Sequence, residues 1–189
     1  MCSSDLQAYP GKLVRIVVGF APGGTADIIA RDFANRMQRT WGQSVIVDNR
    51  PGGNGVVATQ ALVKSPPDGH TLMVTISSHI INGLMVRNIG YDTLKDITPI
   101  GLIAASPLVL VKHPSFPPES VRALIAMAKK QPGTISYATP GTGSLQHLSI
   151  ELLGHLSGMK MVQVPYKGGA PAVTELLGGQ VPVGITSIP

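Results

Sequence analysis

Cysteine is nearly absent: the 189 residues contain one, Cys2. That excludes an internal disulfide and a cysteine-rich metal site. Aromatic residues make up 4% and charged residues 13%. So few aromatics exclude a stacking platform for single-stranded bases, and so few charges argue against a disordered chain. The net charge of +5 favours anionic partners. Lys and Arg are scattered, however, with no run longer than Lys129-Lys130, whereas a nucleic-acid footprint clusters them. No nucleic-acid partner is expected. No apolar run approaches the ~20 residues that cross a bilayer. Met1–Gln7 has neither the basic n-region nor the apolar h-region of a signal peptide and is set apart from the fold.

What is present is a globular share of hydrophobic residues, 43%, arranged as alternating strand and helix patterns. The run 13–20 (LVRIVVGF) predicts a buried strand. In 25–38, Ile29, Phe33 and Met37 recur every fourth residue beside Ala26 and Ala30, one face of a helix. A strand at 44–49, a Gly-rich turn and a helix at 56–64 follow, then a strand at 71–76 that ends at Ser77-Ser78-His79. Residues 88–100 are polar and irregular, and 101–113 predicts two strand-like pieces crossing between lobes. A second round places helices at 120–130, 145–156 and 170–179 and strands at 134–139, 161–166 and 181–186. In the helix at 145–156, Leu145, Leu148, Leu152 and Leu156 form the apolar stripe. Such alternation implies an α/β protein with mostly parallel sheets and right-handed crossovers. The doubling implies two Rossmann-like lobes, 8–104 and 105–189. The second is expected to be incomplete, because the chain stops directly after a strand.

Each lobe carries one strand–glycine turn–helix. The first is Pro22-Gly23-Gly24-Thr25, followed by Asp27; the second is Pro140-Gly141-Thr142-Gly143-Ser144, preceded by Thr139. The first amides of a helix lack internal partners, and the helix dipole adds partial positive charge there. Glycine admits a close ligand, and Thr and Ser add hydroxyls. Together they make an anion site that needs no Lys or Arg. The competing reading is structural: Thr25 and Ser144 are also good N-caps. Two such turns facing one cleft favour a ligand with two anionic ends. Enzyme motifs are missing: there is no P-loop, no G-x-S-x-G elbow and no H-E-x-x-H, and 141–146 fails G-x-G-x-x-G at its last position.

Other constellations are weaker. His147, Glu151 and His155 share a helix face, but the two histidines stand ~12 Å apart along the axis, too far for one metal. No metal and no cofactor is expected. His147 alone lies in the first turn after the second glycine loop, where it either meets a ligand or is simply solvated. Ser78-His79 is adjacent in sequence without triad geometry; Ser77 and Ser78 instead offer hydroxyls at a strand end. Phe20 is either core or an apolar wall for a ligand's carbon skeleton. Asp27 compensates the helix dipole. Lys167 attracts an anion or is simply solvated.

Five ordered blocks then carry a resemblance: VRIVVGFAPGGTAD (14–27), VIVDNRPGGNG (45–55), SPPDGHTLMV (65–74), ISYATPGTGSLQHLSIELL (135–153) and VPYKGGAPAVTELLGGQV (164–181). From about Tyr9 onward the chain resembles the substrate-binding proteins of tripartite tricarboxylate transporters, the Bug family. The resemblance implies a monomeric periplasmic receptor of two α/β lobes that close on a small carboxylate like a Venus flytrap. It implies that the closed receptor delivers its ligand to two integral membrane subunits. By position it assigns Phe20, Gly23, Gly24, Thr25 and Asp27 to the first ligand loop. Ser77 and Ser78 fall at the third strand's end, and Thr139, Gly141, Thr142, Gly143, Ser144 and His147 in the second loop. Departures are Ala21 where a second proline is common, His70 where Tyr is common, and Thr186 where an acidic residue is often seen. The family has a secretion signal and runs on well past Pro189, so a fragment is expected. Two other roles share these loops: a sensing module for a membrane signalling protein, and an enzyme holding a phosphate or acyl anion.

Overall fold

The computed structural model describes residues 9–188, and the expectations that fall on Met1–Gln7, Cys2 and Pro189 lie outside them. The first half builds a three-stranded sheet in the order β2-β1-β3 from β1 (Val14–Val18), β2 (Val45–Asn49) and β3 (Thr71–Val74). Both pairings are parallel, with Val14 opposite Val45 and Arg15 opposite Thr71. The central strand is apolar almost throughout because both of its faces are covered. Val14, Ile16, Val17 and Val18 are all buried, each contributing roughly 1.5–3 kcal/mol. Helix α1 (Thr25–Trp41) lays its small residues Ala26, Ala30 and Ala34 on the sheet, with Met37 half-buried at the edge. Its C-terminus stops at Gly42, in the left-handed conformation.

The second half builds a four-stranded sheet in the order β4-β7-β5-β6 from β4 (Leu108–Lys112), β5 (Ser136–Thr139), β6 (Val162–Pro165) and β7 (Val183–Ser187). β5 pairs in parallel with β6 and β7, and only β4–β7 is antiparallel. The remaining helices are α2 (Val56–Val63), α3 (Ser78–Met85), α4 (Val121–Lys130), α5 (Leu145–Ser157) and α6 (Gly169–Leu177). None of the described helices is long and apolar enough to cross a membrane.

Three expectations are corrected. Ser78-His79 opens α3 rather than closing a strand, since β3 already ends at Val74. Of the two strand pieces in 101–113, only β4 forms; 101–107 is irregular, interrupted by Gly101 and Pro107. The leucine stripe of α5 faces outward, with Leu152 58% and Leu156 76% exposed. The inward face is Gln146 and Ile150, packed over Tyr137 and Met159. The rotation is fixed by the Tyr137 hydroxyl, which donates to Glu151 Oε1 at 2.7 Å.

Candidate ligand-binding site

Four glycine-bearing strand-to-helix turns lie at the carboxyl ends of their strands, the position where open α/β sheets take ligands. They are β1–α1 (19–24), β2–α2 (50–55), β5–α5 (140–144) and β6–α6 (166–168).

In the first, Gly24 is the N-cap of α1 and supplies no side-chain cap. The leading amides of that helix therefore keep their unpaired character. Asp27 does not face outward as a generic dipole partner. It is 2% exposed and holds the turn from behind: it accepts the Gly23 N–H at 2.9 Å, Arg31 Nε at 3.0 Å and Asn49 Nδ2 at 2.9 Å. Burial pushes its carboxyl up, but the bonds from Arg31, Gly23 and Asn49 and the Arg31 charge outweigh burial and leave it below the ordinary value. Asn49 also donates to the Phe20 carbonyl at 3.1 Å. The Phe20 ring is 4% exposed and packs in the first core. The turn also sits tightly on its neighbour: a Cβ on Gly19 would meet the Gly55 Cα at 2.7 Å.

In the β5–α5 turn, Ser144 is the N-cap of α5, its Oγ accepting the His147 N–H at 3.2 Å. His147 returns the favour through Nδ1, which accepts the Gly143 N–H at 3.2 Å. That bond requires the Nδ1 lone pair, so the assigned neutral tautomer carries its proton on Nε2. The Thr142 hydroxyl donates to Gln163 Oε1 at 3.3 Å, and Gln163 Nε2 donates to Thr139 Oγ1 at 2.8 Å. Thr139, Thr142, Gln163, Ser144 and His147 thus form a brace under Gly141 and Gly143. Ser77 is exposed, while Ser78 is buried with its hydroxyl unpartnered. His79 points elsewhere: its Nε2 lies 3.2 Å from the Thr93 carbonyl and its ring stacks on Tyr91. Ser78 and His79 share no hydrogen bond. Glu151, 4.0 Å from His147 Nε2, is engaged by Tyr137, and no group of three metal-ligating side chains gathers among the described residues.

The two halves meet through these turns. The Ala21 N–H donates to the Lys167 carbonyl at 3.0 Å, and the hydroxyls of Thr25 and Ser187 are 2.9 Å apart. Lys167 thus acts through its backbone; its side chain is exposed. A Cβ on Gly24 would stand 3.8 Å from the Gly169 amide and 3.9 Å from that of Ala170. Two helix N-termini, both capped only by glycine, therefore converge. Gly168 has φ 137°, and a Cβ there would stand 3.2 Å from the Ala21 amide. The second glycine turn meets a different element, Asn54 of the short 3-10 turn Gly53–Gly55. Thr186 does not reach Thr25; its neighbour Ser187 does. Thr186 instead lines a crevice of about 10 Å³ with Pro140 and Gly169, room for one water at most.

Two contributors were not singled out in the sequence. Gly168-Gly169 repeats the strand–glycine–helix pattern in YKGGAP (166–171), a signal that was legible. Asn54 is the one side chain inside GGNG (52–55), and Asn is a residue that tolerates the left-handed backbone it adopts there, φ 54°.

The sequence pattern of the family described as "Tripartite tricarboxylate transporter family receptor" matches residues 29–189. Protein BugT of Bordetella pertussis is 40% identical over 183 residues, 96% of this chain and 56% of that protein. The "UPF0065 protein in tcbD-tcbE intergenic region" of a Pseudomonas species is 34% identical, over 97% of this chain and 54% of that protein. The chain spans about half the length of the curated relatives it matches. Among solved structures, an R. palustris protein with adipate superposes with a TM-score of 0.90 at 38% identity, covering 95% of this chain and 60% of that one. The periplasmic binding protein BugD gives 0.88 at 34% identity, with 95% and 60% covered. MatC of Rhodopseudomonas palustris with bound malate gives 0.86 at 29% identity, with 95% and 61% covered. The fold class expected from the sequence is the one these structures share.

Proposed function

The chain belongs to the tripartite tricarboxylate transporter receptor family, and from that premise we propose that it is the ligand-gripping part of a periplasmic solute receptor for a small carboxylate. One observation carries the reading: the N-termini of α1 and α6, each capped only by glycine, converge, so that a Cβ on Gly24 would stand within 4 Å of the Gly169 and Ala170 amides. Unpaired amides and the positive ends of two helix dipoles brought together stabilise negative charge without a cationic side chain. The Phe20, Gly23, Gly24, Thr25 and Asp27 loop grips one carboxylate. The loop braced by Thr139, Thr142, Ser144 and His147 presents Gly141 and Gly143 to the remainder of the ligand, with Ser77, Ser78 and Thr186 at its margin. Asp27 and His147 act as positioning residues, because each is spent on holding a glycine amide. The lobe boundary falls in the irregular segment before β4. The closed receptor serves two integral membrane subunits of a tripartite transporter, as a monomer and without chemical turnover.

The test is a thermal-melt series on the purified chain with citrate, malate, succinate, adipate, glutamate and a nucleotide. A ligand at 100 times its dissociation constant adds ~2.7 kcal/mol to the folded state. A shift with a carboxylate and none with the nucleotide supports the reading. A nucleotide shift, or consumption of a carboxylate during incubation, defeats it.

A further inference from the structure

Resting on that receptor reading, we propose that Asn54 and Ser78 make the site selective for a carboxylate that also carries a hydrogen-bond donor, such as a hydroxyl, over the same skeleton without it. Asn54 sits at the tip of the Gly53–Gly55 turn with φ 54° and ψ 39°. The turn is fixed from behind: the Asn54 carbonyl accepts from Asn82 Nδ2 at 3.0 Å, and Asn82 is itself 2% exposed. The side chain reaches the opposite half of the protein. Its Oδ1 lies 3.6 Å from where a Cβ of Gly141 would stand, and its Nδ2 lies 3.8 Å from that of Gly143. Both polar atoms of the carboxamide are buried, and neither has a hydrogen-bond partner. Ser78 is 1% exposed, and its Oγ is also buried and unpartnered, 3.9 Å from the Cβ position of Gly55 in the same turn.

Buried polar groups are nearly always paired, so two orphaned side chains, one on this turn and one beside it at the start of α3, mark where a partner belongs. Their chemistry defines that partner. A carboxylate only accepts, so it satisfies the Asn54 NH2 and the Ser78 hydroxyl but leaves the Asn54 carbonyl oxygen bare. That oxygen requires a donor. The requirement does not depend on which way the amide is turned, because oxygen and nitrogen are both unpartnered. The backbone clamp supplies affinity for the anion, and Asn54 with Ser78 supplies the choice among anions.

The experiment is calorimetric titration of the chain and of Asn54→Gly with two matched pairs, malate against succinate and citrate against propane-1,2,3-tricarboxylate. Glycine accepts the left-handed backbone, so the turn is kept while the amide is removed. A site built to bond a hydroxyl rejects the analogue lacking it, so the hydroxylated member of the bound pair should win by about tenfold or more. Asn54→Gly should erase that preference by weakening the hydroxylated ligand more than its analogue, and Ser78→Ala should narrow it. Equal affinities within a pair, or an equal loss of both in Asn54→Gly, overturn the assignment and leave the receptor reading standing. Binding of none of the four overturns the assignment, and the adipate and glutamate arms of the melt series then decide the receptor reading.

Discussion

Thr25 and Ser187 stand 162 residues apart in the chain, yet their hydroxyls lie within 2.9 Å. The bond joins the first turn of α1 to the last residue of β7 and so latches one half of the protein to the other. Either oxygen serves as donor, so replacing one partner leaves the other free to turn toward water. Ser187→Ala should cost the closed form about 0.5–1.5 kcal/mol. The expected readout is weaker carboxylate binding in titration, by up to about tenfold, with little change in the melt of the ligand-free chain. An unchanged affinity would mean that the latch does not contribute to closure.

Asp27 predicts a pH signature. Its folded carboxyl titrates below the ordinary value, so its stabilising contribution is complete above about pH 4. That contribution is lost as pH falls further, through the lowered value. Protonation then releases Gly23 and unpairs Arg31 at the same time. Asp27→Asn should lower stability at neutral pH by about 1–3 kcal/mol and flatten the acid limb of the melting temperature. An acid limb as steep as that of the parent chain would remove Asp27 from the account.

Two glycines separate packing from binding. Gly24 has φ −82°, and a Cβ there would make only ordinary van der Waals contacts, none nearer than the Ala21 carbonyl at 3.7 Å, so Gly24→Ala should leave the melting temperature within a degree or two, a change of under about 0.5 kcal/mol. Its methyl would nonetheless stand among the converging amides, and carboxylate affinity should fall at least about tenfold, since the lost bonds involve a charged group. Gly19→Ala should do the opposite damage. Its methyl meets backbone at 2.7 Å, and overpacking of that kind costs about 1–3 kcal/mol. If both variants lose binding in proportion to stability, the amide cluster is not the grip.

His147 holds the Gly143 N–H, so His147→Ala should speed hydrogen exchange of that amide selectively. The Gly23 amide, held by Asp27 in the other half, serves as the control. Carboxylate affinity should fall modestly, because the loop is loosened rather than removed. Equal protection of Gly143 in both proteins would show that the brace of Thr139, Thr142 and Gln163 suffices without the imidazole.

The parts most legible in the sequence were those in which local pattern and tertiary need agree. The apolar run 13–20 becomes the central strand, and both glycine turns open helices as expected. α3 was hidden because Ser78–Met85 contains Asn82 and Gly83, both weak in helices. Gly83 is required there by tertiary packing, since a Cβ would clash with the Thr93 side chain. The rotation of α5 was not legible for a different reason. It carries two apolar stripes, and the choice between them is made by Tyr137, which lies on another element. The two glycine turns were legible, but the bonds that hold them were not. Nothing in the spacing of His147 or Asp27 says that each spends itself on a neighbouring glycine rather than on a ligand. Asn54 acquires its meaning only when Gly141 is brought against it.

The converging amides of α1 and α6 belong to the peptide chain itself, and no substitution other than proline deletes them. On the reading proposed above, a lineage that keeps the backbone grip can change position 78, or place glycine at 54, and still hold an anion. Holding and choosing would then be inherited separately, letting one scaffold drift from one acid to another without passing through a form that binds nothing.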